Sequence, residues 1–213
     1  MWYYHKICYI IIINIFLWGD ILAAGKTHDK ITVIMTPFIA SFFLFINMIF
    51  LEDLGSSLAF TILGVSVYMF GGYMFSGDLD IKSREFRRWG YLKFIWIPYQ
   101  KLFEHRSVFT HGFILGPIIR ILYVSIIPIT ISSLLYSFSI INISTPEMLK
   151  LVFNFMSNNK VLFGNIALAL FLGSGLHTIT DMIYSYFKRK FSYKKRKSSK
   201  KYSRSKRPSR KAA

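Results

Sequence analysis

Residues 31–51 read ITVIMTPFIASFFLFINMIFL and contain no Asp, Glu, Lys, Arg or His. A helix rises about 1.5 Å per residue, so a run of this length crosses a hydrocarbon core of about 30 Å. Three further apolar runs follow. Residues 56–75 form the second, with Gly64, Gly71 and Gly72 spaced as in closely packed membrane helices. The third extends from 112 to about 140 and is interrupted by Arg120 and Pro128. It reads as one kinked helix or as a span plus a surface piece. The fourth covers 161 to about 186 and carries His177 and Asp181 in its second half. The expected fold is therefore all-α, an integral-membrane helical bundle of about four spans.

The chain of 213 residues suits one compact domain with appendages. It is 53% hydrophobic and 18% aromatic, with mean hydropathy +0.40. Soluble domains are usually about 45–50% apolar. The formal charge of +17 is concentrated in residues 188–213, which contain no Asp or Glu. Such a segment cannot bury a core, so a disordered basic tail is expected there. Electrostatics suit it to anionic lipid; non-specific nucleic-acid binding is the sharper alternative. Cys8 is the single cysteine, which excludes an internal disulfide framework and a cysteine-rich zinc site.

Three regions follow: an N-terminal hydrophobic extension over 1–24, a transmembrane helical domain over 25–187, and the tail over 188–213. The extension holds a short apolar run at 7–18 and ends near Ala23-Ala24. It reads as a signal-like segment, an extra span, or the product of an upstream start assignment, the last two being favoured.

Lys and Arg accumulate in cytoplasmic loops, which places the basic tail inside. Counting back, 77–110 also falls inside. That loop carries Lys82, Arg84, Arg87, Arg88, Lys93, Lys101 and Arg106, so it obeys the rule independently. Its cations are interleaved with Trp89, Tyr91, Trp96 and Tyr99. This mixture reads as an interfacial helical loop meeting anionic headgroups, or as a substrate mouth.

The same topology gathers the chain's costly polar residues. His28-Asp29 precedes the first span, Asp78 and Asp80 follow the second, His105 and His111 precede the third, and His177 with Asp181 ends the fourth. All four clusters fall at one membrane face. His177 and Asp181 lie four apart, hence on one helix face. They read as a chelating pair, a ligand with its orienting carboxylate, or a plain interhelical hydrogen bond. Asp78 and Asp80 cannot share a helix face, so a turn is expected there, and a bend near 107–110 would let His105 and His111 converge. Thr27 or Asp29 can serve as an N-cap. Imidazole and carboxylate donors suit zinc, manganese or iron. The set exceeds what one tetrahedral ion needs, so a two-metal site is plausible.

The segments GKTHDKIT (25–32), GGYMFSGDLDIKSREFRRWG (71–90), IWIPYQKLFEHRSVFTHG (95–112) and GLHTITD (175–181) resemble a bacterial membrane-protein family catalogued as predicted metal-binding proteins of unknown function. The similarity covers residues 25–188. A wider similarity is to inner-membrane metal-dependent hydrolases, and a more distant one to zinc-dependent phospholipase C and nuclease folds. The resemblance implies metal ligands at His28, Asp78, Asp80, His105, His111, His177 and Asp181.

The functional expectation is a metal-dependent, dinuclear hydrolase of a phosphate or lipid ester at the cytoplasmic face of the bacterial inner membrane. Zinc is the first choice of metal. Asp80 and Arg106 are the candidate catalytic residues, with Arg106, Lys26 or Arg120 to hold the anionic part of a substrate. A non-catalytic metal-binding membrane protein and a membrane-anchored nucleic-acid adaptor are the alternatives.

Overall fold

The structure is a computed structural model that describes residues 25–205 except 106, with side chains described over 27–186. The expectations for residues 1–24, and for Arg106 and the Lys26 side chain, lie outside the described residues. The described chain is helical throughout, without strands.

Helix α1, Gly25–Phe50, contains the first apolar run, with Pro37 inside it. Helix α2, Leu54–Tyr73, begins at Asp53, whose side chain accepts the backbone N–H of Gly55 and Ser56 and so satisfies two orphan donors. A 3₁₀ turn over Gly77–Asp80 follows. Three short helices come next: α3, Arg84–Arg88, α4, Trp96–Leu102, and α5, Val108–His111. Ser83 and Ser107 cap the first and last of these by accepting the backbone N–H of Phe86 and Thr110. Gly90, at φ +54°, makes the left-handed turn after α3. Helix α6, Leu115–Ser137, resolves the third run as one helix that includes Pro128. Helix α7, Thr145–Asn158, occupies part of the stretch before the fourth run. Helix α8 runs Lys160–Ser205.

Residues 188–205 continue α8 as a helix, and 206–213 lie outside the described residues. Lys and Arg have good helix propensity, and extending a formed helix needs no new nucleus.

Helix α2 lies against both α1 and α8. Its seam with α8 is made by glycines. A Cβ on Gly71 would lie 3.0 Å from the carbonyl oxygen of Leu170, and one on Gly173 only 2.1 Å from that of Tyr68. Side chains pin the same bundle. Tyr68 Oη donates to the Thr32 carbonyl at 3.1 Å, Asn47 Nδ2 to Thr61 Oγ1 at 3.2 Å and Asn165 Nδ2 to the Phe60 carbonyl at 2.8 Å. Polar pairs inside apolar helices fix register because an unpaired partner there is costly.

Four helical stretches, Thr27–Phe50, Leu54–Tyr73, Leu115–Ser137 and Lys160–Tyr186, are long and apolar enough to cross a membrane. Their outward faces carry exposed Phe38, Phe45, Ile62, Leu122 and Met182. The tightest apolar cluster is elsewhere. Phe75, Leu79, Phe86, Trp96 and Tyr99 pack beneath the short helices, edge to face in several pairs, with Trp89 and Tyr123 around them. This cluster seats α3 and α4 on the bundle and so builds a platform for the polar residues.

Candidate metal centre

The four polar clusters converge on that platform. His28 sits in the first turn of α1, Asp78 and Asp80 on the 3₁₀ turn, His105 between α4 and α5, His111 at the end of α5, and His177 and Asp181 one turn apart on α8. A 3₁₀ turn advances about 120° per residue, so carboxylates two apart point in different directions. Each accordingly joins a different group of donors. Asp78, His111, His177 and Asp181 form one set, and Asp80, His105 and His111 the other; within each set the ligand atoms lie within 4.8 Å of one another.

The first set has the dimensions of a coordination shell. Ligand atoms about 2.0–2.2 Å from a tetrahedral ion are about 3.3–3.6 Å apart. Here His111 Nε2 lies 3.2 Å from Asp78 Oδ1 and 3.9 Å from Asp181 Oδ2. His177 Nε2 lies 3.5 Å from Asp78 Oδ2 and 3.6 Å from Asp181 Oδ2. The His177 distances are too long for hydrogen bonds, and both of its ring nitrogens are buried without a hydrogen-bond partner among the described residues. A buried imidazole nitrogen, Nε2, left open toward two carboxylates is what an ion between them would satisfy. Burial pushes the Asp78 carboxyl up, but the hydrogen bond from His111 and the nearby imidazole of His177 together outweigh it. They hold the group well below the usual carboxylate range. Asp78 is thus ionised and ready to ligate.

In the second set His105 Nδ1 is 2.9 Å from Asp80 Oδ1, and His111 Nδ1 is 3.6 Å from Asp80 Oδ2. The Asp80 side chain is fully buried, whereas His105 is 38% exposed, so the centre meets its surroundings at His105. The His111 ring belongs to both sets, one nitrogen to each. It has little room to turn, since a Cβ on Gly77 would stand 3.1 Å from its Cδ2.

His28 borders the centre. Its Nε2 lies 3.2 Å from Asp181 Oδ1, and its ring stacks on His177 with centroids 3.9 Å apart. It is in neither four- nor three-donor set. Asp29, next to it, faces away. Arg88 Nη2 and Nη1 donate to its two oxygens at 2.6 and 2.8 Å, and Arg84 Nη1 adds a bond of 3.2 Å. This clamp ties α1 to α3, whereas the sequence offered Asp29 only as an N-cap.

Arg120 does not face a substrate. It is 1% exposed. Its Nη1 donates to the Thr110 carbonyl at 2.8 Å and its Nη2 to Ser174 Oγ. The buried cation therefore locks the helix that ends in His111 to the helix that carries His177. Glu85, buried beneath α3, also escaped notice in the sequence, where it reads as an ordinary surface glutamate in a run of arginines.

The family described as uncharacterized metal-binding protein (DUF2227) matches residues 23–191. The chain belongs to this family. The matched region contains all seven donors. An "Uncharacterized protein" of Aquifex aeolicus (strain VF5) is 37% identical over 57 residues, which is 26% of this chain and 40% of that relative. No solved structure matches. For this DUF2227 member, then, metal binding is the family property, and the donor chemistry and spacing fit it.

Proposed function

We propose that this DUF2227 member is an integral-membrane, metal-dependent hydrolase acting on a phosphate or lipid ester at the membrane face where the donors gather. The observation that carries the reading is the four-donor set with edges of 3.2–3.9 Å beside a second, more open set at His105. Ions held by such sets lower the pKa of water and neutralise charge that develops on an ester oxygen. Asp78, Asp181, His111 and His177 would hold one ion; Asp80, His105 and His111 would hold the second, with His28 steadying Asp181. Asp80, 2.9 Å from the partly exposed His105, would be the proton acceptor in this reading. Oxygen and imidazole donors favour zinc, with manganese or iron as substitutes.

Membrane insertion is supported by the exterior of the helices. Only 11–39% of the residues in their apolar windows are buried within the chain. A surface of that kind is stable in lipid and a liability in water. The basic loop and the basic tail support a reading in which the centre's face is the cytoplasmic side of a bacterial inner membrane. Arg84, Arg87 and Arg88 line a surface hollow on that side. Tyr91, 97% exposed, and exposed Leu92 and Phe94 stand near them in sequence. Anionic headgroups are the partner such a mixture suits.

A non-catalytic reading draws on one observation: four protein donors already complete a closed tetrahedral shell. The two readings separate experimentally. Metal content of detergent-purified protein is measured for wild type, His177→Ala and His105→Ala. Phosphoesters and phospholipids are then screened with zinc or manganese added. The proposal expects metal lost in the His177 variant, and turnover lost in both. Unchanged stoichiometry in both variants refutes the site; full stoichiometry without turnover of any ester favours the non-catalytic reading.

A further inference from the structure

The bundle carries a concavity at the end away from the metal donors. It lies between the end of α1 and the start of α8 and has a volume of about 350 Å³, within the range of about 300–1,000 Å³ usual for small-ligand sites. Ile46 and Phe50 line it from α1, and Gly164 and Leu168 from α8. Gly164 keeps it open, since a Cβ there meets nothing within 4 Å. Lys160, at the start of α8, also lines it. Lys160, Gly164 and Leu168 recur every four residues, so they follow one another down a single helix face over about 12 Å.

Two polar groups give this apolar groove a direction. Asn165, which lines it, is 6% exposed. Its Nδ2 donates to the Phe60 carbonyl at 2.8 Å, which fixes the other amide atom as the oxygen. That oxygen, Oδ1, is buried and has no hydrogen-bond partner among the described residues. Neighbouring Asn47 does not serve it, because its Nδ2 is spent on Thr61 Oγ1 at 3.2 Å. A buried amide oxygen calls for a donor, and the groove is where a ligand can bring one. Lys160 is exposed. No Asp or Glu lies between Glu147 and Asp181, and Lys160 makes no ion pair among the described residues. From the start of α8 inward, the groove thus presents a free cation, an acceptor in need of a proton, and hydrocarbon.

We propose that this groove binds a lysophospholipid: the phosphate meets the Lys160 ammonium, the free glycerol hydroxyl donates to Asn165 Oδ1, and the acyl chain lies along Gly164 and Leu168 against Ile46 and Phe50. Phosphate, hydroxyl and chain follow one another in the lipid in the same order as their partners follow along α8. A diacyl lipid has that hydroxyl esterified, and an ionised fatty acid has no donor at all, so neither meets Oδ1. Lining side chains cover Oδ1, and the entering hydroxyl reaches it by displacing them. The site is separate from the metal centre: Lys160 and His177 lie about 25 Å apart along α8. Its occupation needs neither an ion nor catalysis.

The test titrates full-length protein in non-ionic detergent with palmitoyl lysophosphatidic acid and counts bound molecules by native mass spectrometry. One retained molecule per chain is expected. Gly164→Leu fills the groove without a clash and should abolish binding, while the variant melts no lower than wild type and keeps its metal content. Lys160→Gln should weaken binding about five-fold. An analogue with hydrogen in place of the glycerol hydroxyl should bind wild type about 2- to 10-fold more weakly. That probe reads the Asn165 contact while leaving the bond from Asn165 to Phe60 in place. Wild type that retains no lysolipid overturns the proposal. So does undiminished binding by Gly164→Leu, which would put the lipid elsewhere. Palmitate or the analogue binding as tightly as the lysolipid overturns the choice of ligand. Should Gly164→Leu not fold, Lys160→Gln and the analogue decide: weaker binding in both supports the site, and unchanged affinity in either overturns it.

Discussion

Substitution of Gly173 by alanine should disable the centre from inside the bundle. The added Cβ would stand 2.1 Å from the Tyr68 carbonyl oxygen and 2.9 Å from the Gly72 nitrogen, both backbone atoms that cannot rotate aside. Carbon–oxygen contacts settle at about 3.3 Å, so α2 and α8 must separate locally by about 1.2 Å. Overpacking of this kind costs about 1–3 kcal/mol, and a rigid backbone contact belongs at the upper end. The displacement has a second effect. His177 lies one turn beyond Gly173 on α8, and Asp78 follows α2. Edges now at 3.5 Å between His177 and Asp78 would open by a distance far above the ±0.2 Å a metal shell tolerates. The expected result is a lower melting temperature together with substoichiometric metal after purification. Gly164→Ala is the internal control. A Cβ there meets nothing within 4 Å, and replacing glycine in a helix should stabilise by about 0.5–1 kcal/mol. If Gly173→Ala melts with wild type and retains full metal, the glycine seam does not set the spacing of the donors and the reasoning fails.

Arg120→Met should cost about 1–3 kcal/mol, because the Thr110 carbonyl and Ser174 hydroxyl lose their donor in a dry interior; thermal unfolding in detergent reads it, and an unchanged melting temperature would contradict the lock. Asp53 should make the bundle acid-sensitive at its far end. Hydrogen bonding from the Ser56 and Gly55 backbone holds its carboxyl below the ordinary value of 3.8. A depressed folded-state value means the cap contributes fully above 3.8 and is lost as pH falls through the lower one. The stability gap between wild type and Asp53→Ala should therefore be present at pH 7 and close below pH 3.8, as followed by circular dichroism. A double-mutant cycle on Asp29→Asn and Arg88→Leu should give a coupling of about 1 kcal/mol; additive losses would show that the α1–α3 clamp adds no stability.

The four apolar runs were readable because each is long, uninterrupted and bounded by charge. The third could not be settled between a kinked helix and two pieces, since a proline inside an apolar helix is decided by neighbours that replace its missing donor. Convergence of the donors was readable in outline from loop charge. His177 and Asp181 announced themselves by spacing, and the bend at Ser107 is visible as a cap. Roles that depend on direction were not. Arg120 looked like a substrate cation until both ends of its guanidinium were found occupied. Asp29 and His28 are adjacent yet face opposite partners, which no spacing rule reveals. Glu85 lay in a run of arginines, where a surface position is the ordinary expectation.

The centre joins residues far apart in the described chain. His28, at its border, belongs to the first described helix and the donor Asp181 to the last. Between them lie the glycine seam and the bond from Asn165 to Phe60, 105 residues apart in sequence. A ribosome releases Asp78 and His111 long before α8 exists, and until that helix docks the four-donor set lacks His177 and Asp181. Completion of that set is thus a late event of assembly, and metal held there rewards only a chain whose last helix has found its place. Occupancy of the centre becomes a record of completed folding, and loss of metal from a variant can report a misplaced helix as readily as a missing ligand.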